Sequence, residues 1–206
     1  MDLRWLDWSR RLAAIAQNGL AFSPGPYDKE RYEAVRHIAA EIMAVGTGAE
    51  ISVVEGLFSK ESGYATPKVD VRGVVFQGDS LLFVREKMDG CWTLPGGFAD
   101  IGDSPAESAE REIFEESGYK AKAVKVLAVY DRNKHPHKPP HTHHIYKIFF
   151  LCELLGGEPK ASSETTDVAF FTEDKIPELS LGRVTPDQVV RMFEHHQNPD
   201  WPADFD

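Results

Sequence analysis

Cysteine is scarce: among 206 residues there are two, Cys91 and Cys152. Two thiols build no disulfide framework and complete no cysteine-based zinc motif, and such a chain fits a reducing, cytoplasmic setting. Positive charge is also short. There are 23 Lys and Arg against 33 Asp and Glu, a formal net charge of −10. A surface of that sign does not favour extended contact with nucleic acid or anionic lipid. An anionic substrate would need local bases or bound cations. Long apolar runs are missing as well. No stretch approaches the ~20 residues of a membrane span, so no membrane association is expected. The opening MDLRWLDWSRR lacks the apolar core of a signal peptide. Internal repeats and disorder-prone composition are absent too. What is present is 42% apolar residues, enough for a core in one large domain, or in a main domain with a smaller one.

The first 60 residues read as helical. Leu3, Leu6, Leu12, Ile15 and Ala16 fall at helical spacing, with Trp5 and Trp8 among them, over residues 2–18. AFSPGPYD (21–28) breaks that pattern, and Asp28 is placed to cap a second helix over 29–44. A short helix around 50–58 follows. A linker, SKESGYATPK, leads out of this small domain. The pattern then turns to strands. VDVRGVVF (69–76) and SLLFVRE (80–86) flank a probable hairpin turn. Further strands are predicted at 124–131, 145–153 and 166–172. Thr185, Pro186 and Gln188 form a capping box with proline at the first helical position, opening a helix to about residue 196. Strands mixed with helices argue an α+β fold with a mixed sheet over residues 66–206.

One stretch breaks charge rules: GGFADIGDSPAESAEREIFEESGY (96–119). Ser104, Pro105 and Glu107 make a helix start, and Gly118 a natural stop, so the helix spans about 105–117. Ala106, Ala109 and Ile113 form its apolar stripe. Glu112, Glu115 and Glu116 share a neighbouring face at i, i+3 and i+4. They repel one another and crowd toward the helix C-terminus, where the backbone dipole disfavours anions. Only Arg111 is near enough in sequence to offset them. A solvated acidic helix is the ordinary reading of such a segment. Placement against both rules points to a missing counter-ion. Converging carboxylates with open positions suit Mg²⁺, which bridges to substrate phosphates.

These residues carry a resemblance. Gly97, Asp103, and Arg111-Glu112-Ile113-Phe114-Glu115-Glu116-Ser117-Gly118-Tyr119 closely resemble the Nudix box. That pattern is a glycine, a glutamate six later, then R-E-U-x-E-E-x-G-U with U apolar. CWTLPGG, just ahead, fits the same family. One position departs: Asp103 replaces the first glutamate. The resemblance implies an α/β/α sandwich that hydrolyses a nucleoside diphosphate linked to a moiety X, with Mg²⁺ or Mn²⁺. Glu112, Glu115 and Glu116 would be metal ligands, joined by the carbonyl near Gly97. Glu112, Glu116 or Glu164 would serve in catalysis, one of them as base; Glu164, in the loop before a late strand, is equally read as an ordinary loop acid. Arg111 and Asp103 would support the box. The helical N-terminal domain is similar to that of one subfamily acting on substrates of the ADP-ribose and CDP-choline type, generally as homodimers. That domain would serve dimerisation or support the substrate site.

Candidates for phosphate contact are Arg72 and Arg85 by family position, each equally able to be a structural ion pair. Arg132 and Lys134 open the loop DRNKHPHKPPHTHH (131–144). For that loop three readings stand: a substrate loop, a polar loop without a direct role, and a zinc site. The last lacks any common zinc spacing. The tryptophans are read as core or dimer contacts, or as base-stacking groups. Two further functions compete with hydrolysis of X-linked diphosphates. One is a sensor that binds ADP-ribose without cleaving it; the other is action on RNA ends or 3′ termini.

Overall fold

The computed structural model describes residues 4–206. They form two compact units: a helical one reaching to Pro67 and including Thr142–His144, and a second made of Lys68–His141 and Ile145–Asp206. The helical unit holds α1 (Arg4–Phe22), α2 (Pro26–Thr47) and α3 (Ile51–Ser59). Leu6, Ala40, Met43 and Val54 make its core, with Trp5, Ile51 and Phe58 packed on it. Trp5 lies flat against Gly46, where a Cβ would fall 2.2 Å from the indole. Trp8 is half exposed. Asp28 does not cap α2. Gly25 is the N-cap and Pro26 the first helical residue, which places Asp28 inside the first turn. Proline suits that position because an N–H there would lack a helical partner anyway.

The second unit contains β1 (Lys68–Gln77), β2 (Ser80–Glu86), β3 (Trp92–Thr93), α4 (Pro105–Ser117) and β4 (Tyr119–Asp131). After these come β5 (Ile145–Gly157), β6 (Thr165–Phe171), α5 (Pro186–Gln197) and β7 (Asp204–Phe205). The strand order is β3-β2-β1-β5-β4-β7, with β6 on β2. β1 runs parallel to β5 and β4 to β7, and the other pairs are antiparallel. The expected α+β sandwich with a mixed sheet is the architecture observed. β4 starts at Tyr119, earlier than expected, because α4 passes through its Gly118 cap straight into the strand. β3 and β7 are two residues each, too short to show a period.

Both faces of the sheet are covered, which is why β1 is buried on both sides from Asp70 to Val75 and ends in the apolar run Val74–Phe76. Val74 packs with Leu81, Phe83 and Phe149 against Val189, Met192 and Phe193 of α5. Val71 and Val75 turn the other way, onto Ala109 and Ile113 of α4. Alternation along the strand sends these neighbours to opposite sides. Both predicted capping boxes are present, Ser104 with Glu107 on α4 and Thr185 with Gln188 on α5. α4 sits close to the sheet at Gly73, where a Cβ would lie 2.4 Å from Ile113 Cδ1. β1 and β2 pair only near their turn, through Phe76 with Leu81 and Gln77 with Ser80. Farther along, residues 95–99 take the edge of β1. Val71 N donates to Gly97 O and Gly73 N to Pro95 O, each at 2.8 Å, and Ala99 N donates to Val69 O at 3.0 Å.

Ile113→Ala should leave a void between α4 and β1 and lower stability by about 2–5 kcal/mol. Urea unfolding followed by circular dichroism measures it, and a loss under ~1 kcal/mol would mean that this contact does not hold the helix on the sheet.

Candidate active site

The docking of α4 fixes the position of its acidic face. Glu116 is only 6% exposed. Its carboxylate accepts from Gly96 N at 2.8 Å, and its own carbonyl accepts from Thr165 Oγ1 at 2.8 Å. Gly96 has φ +140°, and a Cβ there would strike Val71 O at 2.0 Å. Only glycine brings this amide so close to β1 with its N–H turned to the helix. Gly97 follows, its α-carbon facing the Glu112 carboxylate, with an ideal Cβ 3.3 Å from Oε2. The Gly97 carbonyl already accepts from Val71 N, so one lone pair remains for another partner.

Arg111 gathers the remaining acids. It donates to Asp103 at 3.0 Å, to Glu112 at 2.9 Å and to Glu115 at 3.1 Å. Its Nη2 lies 3.1 Å from Asp100 Oδ2 as an ion pair, without the alignment of a hydrogen bond. Hydrogen bonding to Asp103, joined by the charges of Glu112 and Glu115, raises its pKa further. Asp103 is thus bound to Arg111 and does not line the cavity described below.

A cavity of about 940 Å³ opens beside α4. One wall is acidic, with Glu112, Glu115, Glu116, Asp100, Glu86 and Glu164. Burial pushes Glu116 up to about 8, against Arg72 and the Gly96 amide, and it also raises Glu112 and Glu86. The floor is basic. Asp70 and Arg72 of β1 and Lys147 of β5 share one face, because Asp70 and Lys147 are direct partners in the parallel pair. Arg72 donates to both Asp70 oxygens at 2.9 and 2.8 Å and to Leu94 O at 3.1 Å. Lys147 donates to the same Asp70. Burial opposes ionisation of Asp70, but Arg72 and Lys147 outweigh it and hold the carboxyl at about 2. Burial takes Lys147 down to about 7, against the pull of Asp70.

Arg132 joins the floor from the turn after β4. It is buried, and donates to Pro139 O at 2.9 Å and Gly182 O at 3.2 Å. Its loop is pinned by His137. The Leu181 carbonyl can only accept, so His137 Nδ1 is the donor there, at 3.0 Å. Nε2 therefore accepts from the Gln188 amide at 3.3 Å. Gln188 in turn accepts from Thr185 N in the α5 cap. Burial, then the charges of Lys147 and Arg132, drive His137 down to about 3.

Of the residues expected from sequence, Glu112, Glu115, Glu116, Glu164, Gly97, Arg72, Arg111 and Arg132 line this one cavity. Arg85 and Lys134 do not. Arg85 is one residue out of step with Glu86, and it turns outward to Gly90 O and Asp167. Lys134 is exposed at the far side of its turn. For Arg72 the ion-pair alternative is realised, since it donates to Asp70 and to Leu94 O. Lys147 and Asp70 went unnoticed in the sequence, and Gln188 was read only as part of the α5 cap. The available signal was two charges two residues apart in β1 and a lysine inside an aromatic strand.

Among the described residues no three His, Cys, Asp or Glu side chains stand as a ready cage for an ion, including those of the histidine-rich loop. The acidic wall nonetheless suits a hard divalent cation chemically. It offers oxygen donors only, and burial penalises the charge on Glu112 and Glu116 that a cation would favour.

Carboxylates on a capped helix share one cavity with buried cations, an arrangement suited to phosphoanhydride hydrolysis. Comparison with known proteins gives the family. Residues 66–193 match the NUDIX domain, and residues 3–58 match a "UDP-X-like, N-terminal oligomerisation domain". The chain belongs to the Nudix family and is a Nudix pyrophosphohydrolase, which sets aside the non-cleaving sensor. Over all 206 residues it is 48% identical to a Bacillus subtilis protein provisionally named an ADP-ribose pyrophosphatase, covering 99% of it. An ADP-ribose pyrophosphatase of Methanocaldococcus jannaschii is 33% identical over 66% of this chain and 78% of its own. Among solved structures, a UDP-X diphosphatase covers 98% of both chains at 33% identity and TM-score 0.64. Nudix enzymes generally work with divalent metal ions. Among the described residues no helix is long and apolar enough to cross a membrane.

The raised Glu116 sets a pH dependence. Its folded pKa, about 8, lies above the ordinary 4.5, so the folded protein holds a proton there that the unfolded chain has released. Stability of the metal-free protein should therefore fall as pH rises from about 4.5 to about 8. Glu116→Gln removes this contribution, and should be more stable than the parent at pH 8 by an amount on the order of a few kcal/mol, with little difference at pH 4.5. Urea unfolding in EDTA at both pH values tests it, and parallel profiles for the two proteins would refute it.

Proposed function

We propose that this enzyme cleaves the diphosphate linkage of a nucleoside diphosphate joined to a group X, of the ADP-ribose or CDP-choline type. The products are a nucleoside monophosphate and phosphorylated X. One observation carries the reading: a carboxylate wall and a cationic floor face one cavity large enough for a nucleotide. The relatives named as ADP-ribose pyrophosphatases and the UDP-X diphosphatase structure support it.

Glu112, Glu115, Glu116 and the Gly97 carbonyl would hold the metal, Mg²⁺ or Mn²⁺. When bound, the metal neutralises phosphate oxygens and lowers the pKa of water. A carboxylate among Glu112, Glu116 and Glu164 takes the proton of the attacking water. The new phosphorus–oxygen bond forms as the bridging bond breaks, and the leaving phosphate departs as an anion. Glu164 is exposed at the cavity rim, beside Ser162 and Ser163, where its carboxylate can reach solvent. Arg111 holds Glu112 and Glu115 in place, and Asp103 holds Arg111. Arg132 faces the phosphates. The N-terminal helical domain, residues 1–60, serves dimerisation, and the enzyme works in the cytoplasm.

Glu116→Gln is expected to lose at least about 100-fold in Mg²⁺-dependent kcat on a panel of ADP-ribose, CDP-choline and UDP-sugars. The same variant should lose the rise in melting temperature that Mg²⁺ gives the parent protein. Near-parental turnover by the variant would sink the assignment. Sedimentation of the full chain should give twice the monomer mass.

A further inference from the structure

The cavity floor holds more positive charge than the protein itself compensates. Arg72 occupies both Asp70 oxygens at 2.9 and 2.8 Å and also donates to Leu94 O. Lys147 must share an oxygen that Arg72 already uses, and it shows no other hydrogen bond among the described residues. Arg132 meets backbone carbonyls alone, those of Pro139 and Gly182. Asp70 is thus the one carboxylate hydrogen-bonded to any of these three cations, and each cation is at least 95% buried. Buried charge without a partner is costly, and natural proteins pair it. The other cations of this cavity do have acids: Arg183 bonds Glu86 at 2.8 Å, and Arg111 is held by four carboxylates. The uncompensated pair is Lys147 and Arg132, and both line the cavity.

We propose that Lys147 and Arg132 form an oxyanion pocket that holds one phosphate of the substrate's diphosphate, the one lying away from the carboxylate wall. This rests on the hydrolase reading above and adds the group that anchors the second phosphate. The ammonium has donors beyond the one given to Asp70. The Arg132 guanidinium, fixed by two carbonyls, keeps Nη1 without a partner among the described residues. Asp70 keeps Lys147 in place without neutralising the floor, because Arg72 already balances it. The division of labour is then spatial. One phosphate faces the acidic wall, and the other meets the cations of the floor directly. A phosphate-bearing product would bind the same pocket and inhibit.

The test uses the full chain in EDTA and inorganic pyrophosphate as probe, with affinity read by calorimetry at fixed salt. The parent protein should bind pyrophosphate without metal. Lys147→Met and Arg132→Gln should each weaken binding by about tenfold or more, the scale of one charge-assisted hydrogen bond. Lys147→Met should fold, because Arg72 still pairs Asp70 and methionine fills a similar length. Circular dichroism of both variants confirms the fold, and either one alone decides the outcome. Lys120→Gln, an exposed change that does not line the cavity, should leave affinity unaltered. With Mg²⁺ and substrate, the two pocket variants should raise KM more than they lower kcat. The proposal is overturned if the parent binds no pyrophosphate in EDTA. It is overturned equally if either folded variant keeps parental affinity, or if Lys120→Gln weakens binding as much as they do. If the pocket fails while Glu116→Gln abolishes turnover, the hydrolase reading survives. If Glu116→Gln retains turnover, the role of Glu116 falls whatever pyrophosphate does, and if the parent protein cleaves nothing on the panel, the hydrolase reading falls.

Discussion

The hydrogen bond from the Gly96 amide to Glu116 is the constraint on which the site depends. It joins the acidic helix to the loop that lies along β1, in a place almost closed to solvent. A carboxylate there is expensive to ionise, and the amide only partly offsets that cost. Every neighbouring choice serves this junction. Gly96 admits the amide, Gly73 lets Ile113 bring the helix down, and Thr165 fastens the helix end from the other side. A rigid frame is needed because the same carboxylate must also be available to a cation.

The charge of the whole molecule and the charge of its cavity follow different logics. The chain is acidic overall, with net charge −10, yet five of its cations reach into one cavity. Most are balanced by acids supplied within hydrogen-bond reach. Arg111 shows the principle in concentrated form, since one guanidinium orders acids from both the helix and the loop before it. This ordering keeps mutually repelling side chains on one wall when no metal offsets them. It also explains how Asp103, a methylene shorter than the family's glutamate, still takes part: it reaches Arg111 rather than the cavity.

The acidic helix was legible residue by residue. Its start, its stop, its apolar stripe and its glutamate face all follow from spacing, and each is found in the fold. The mixed sheet and the hairpin were legible for the same reason, because period-2 runs bounded by turn residues are strong signals. The basic floor was not. Asp70 and Lys147 are 77 positions apart and meet only through the parallel register of β1 and β5. No local pattern announces a contact of that kind. Arg85 and Lys134 carried the right chemistry but the wrong phase, one turned outward by strand alternation and one by its turn. The short strands β3 and β7 owe their existence to neighbours rather than to their own residues.

The histidine-rich loop has one further property that its composition conceals. A run of imidazoles invites comparison with protein pH sensors, whose switching depends on rings that gain a proton in mildly acidic conditions. The ring at the root of this loop cannot behave in that way. His137 is buried between a carbonyl that needs its proton at Nδ1 and an amide that needs its lone pair at Nε2, with Lys147 and Arg132 repelling any added charge. Its tautomer is therefore set by the fold and persists across the whole range in which a free histidine titrates. This one anchor of the loop is therefore insensitive to acidity, and the backbone that His137 ties to Leu181 and Gln188 holds steady while the carboxylate side responds to pH.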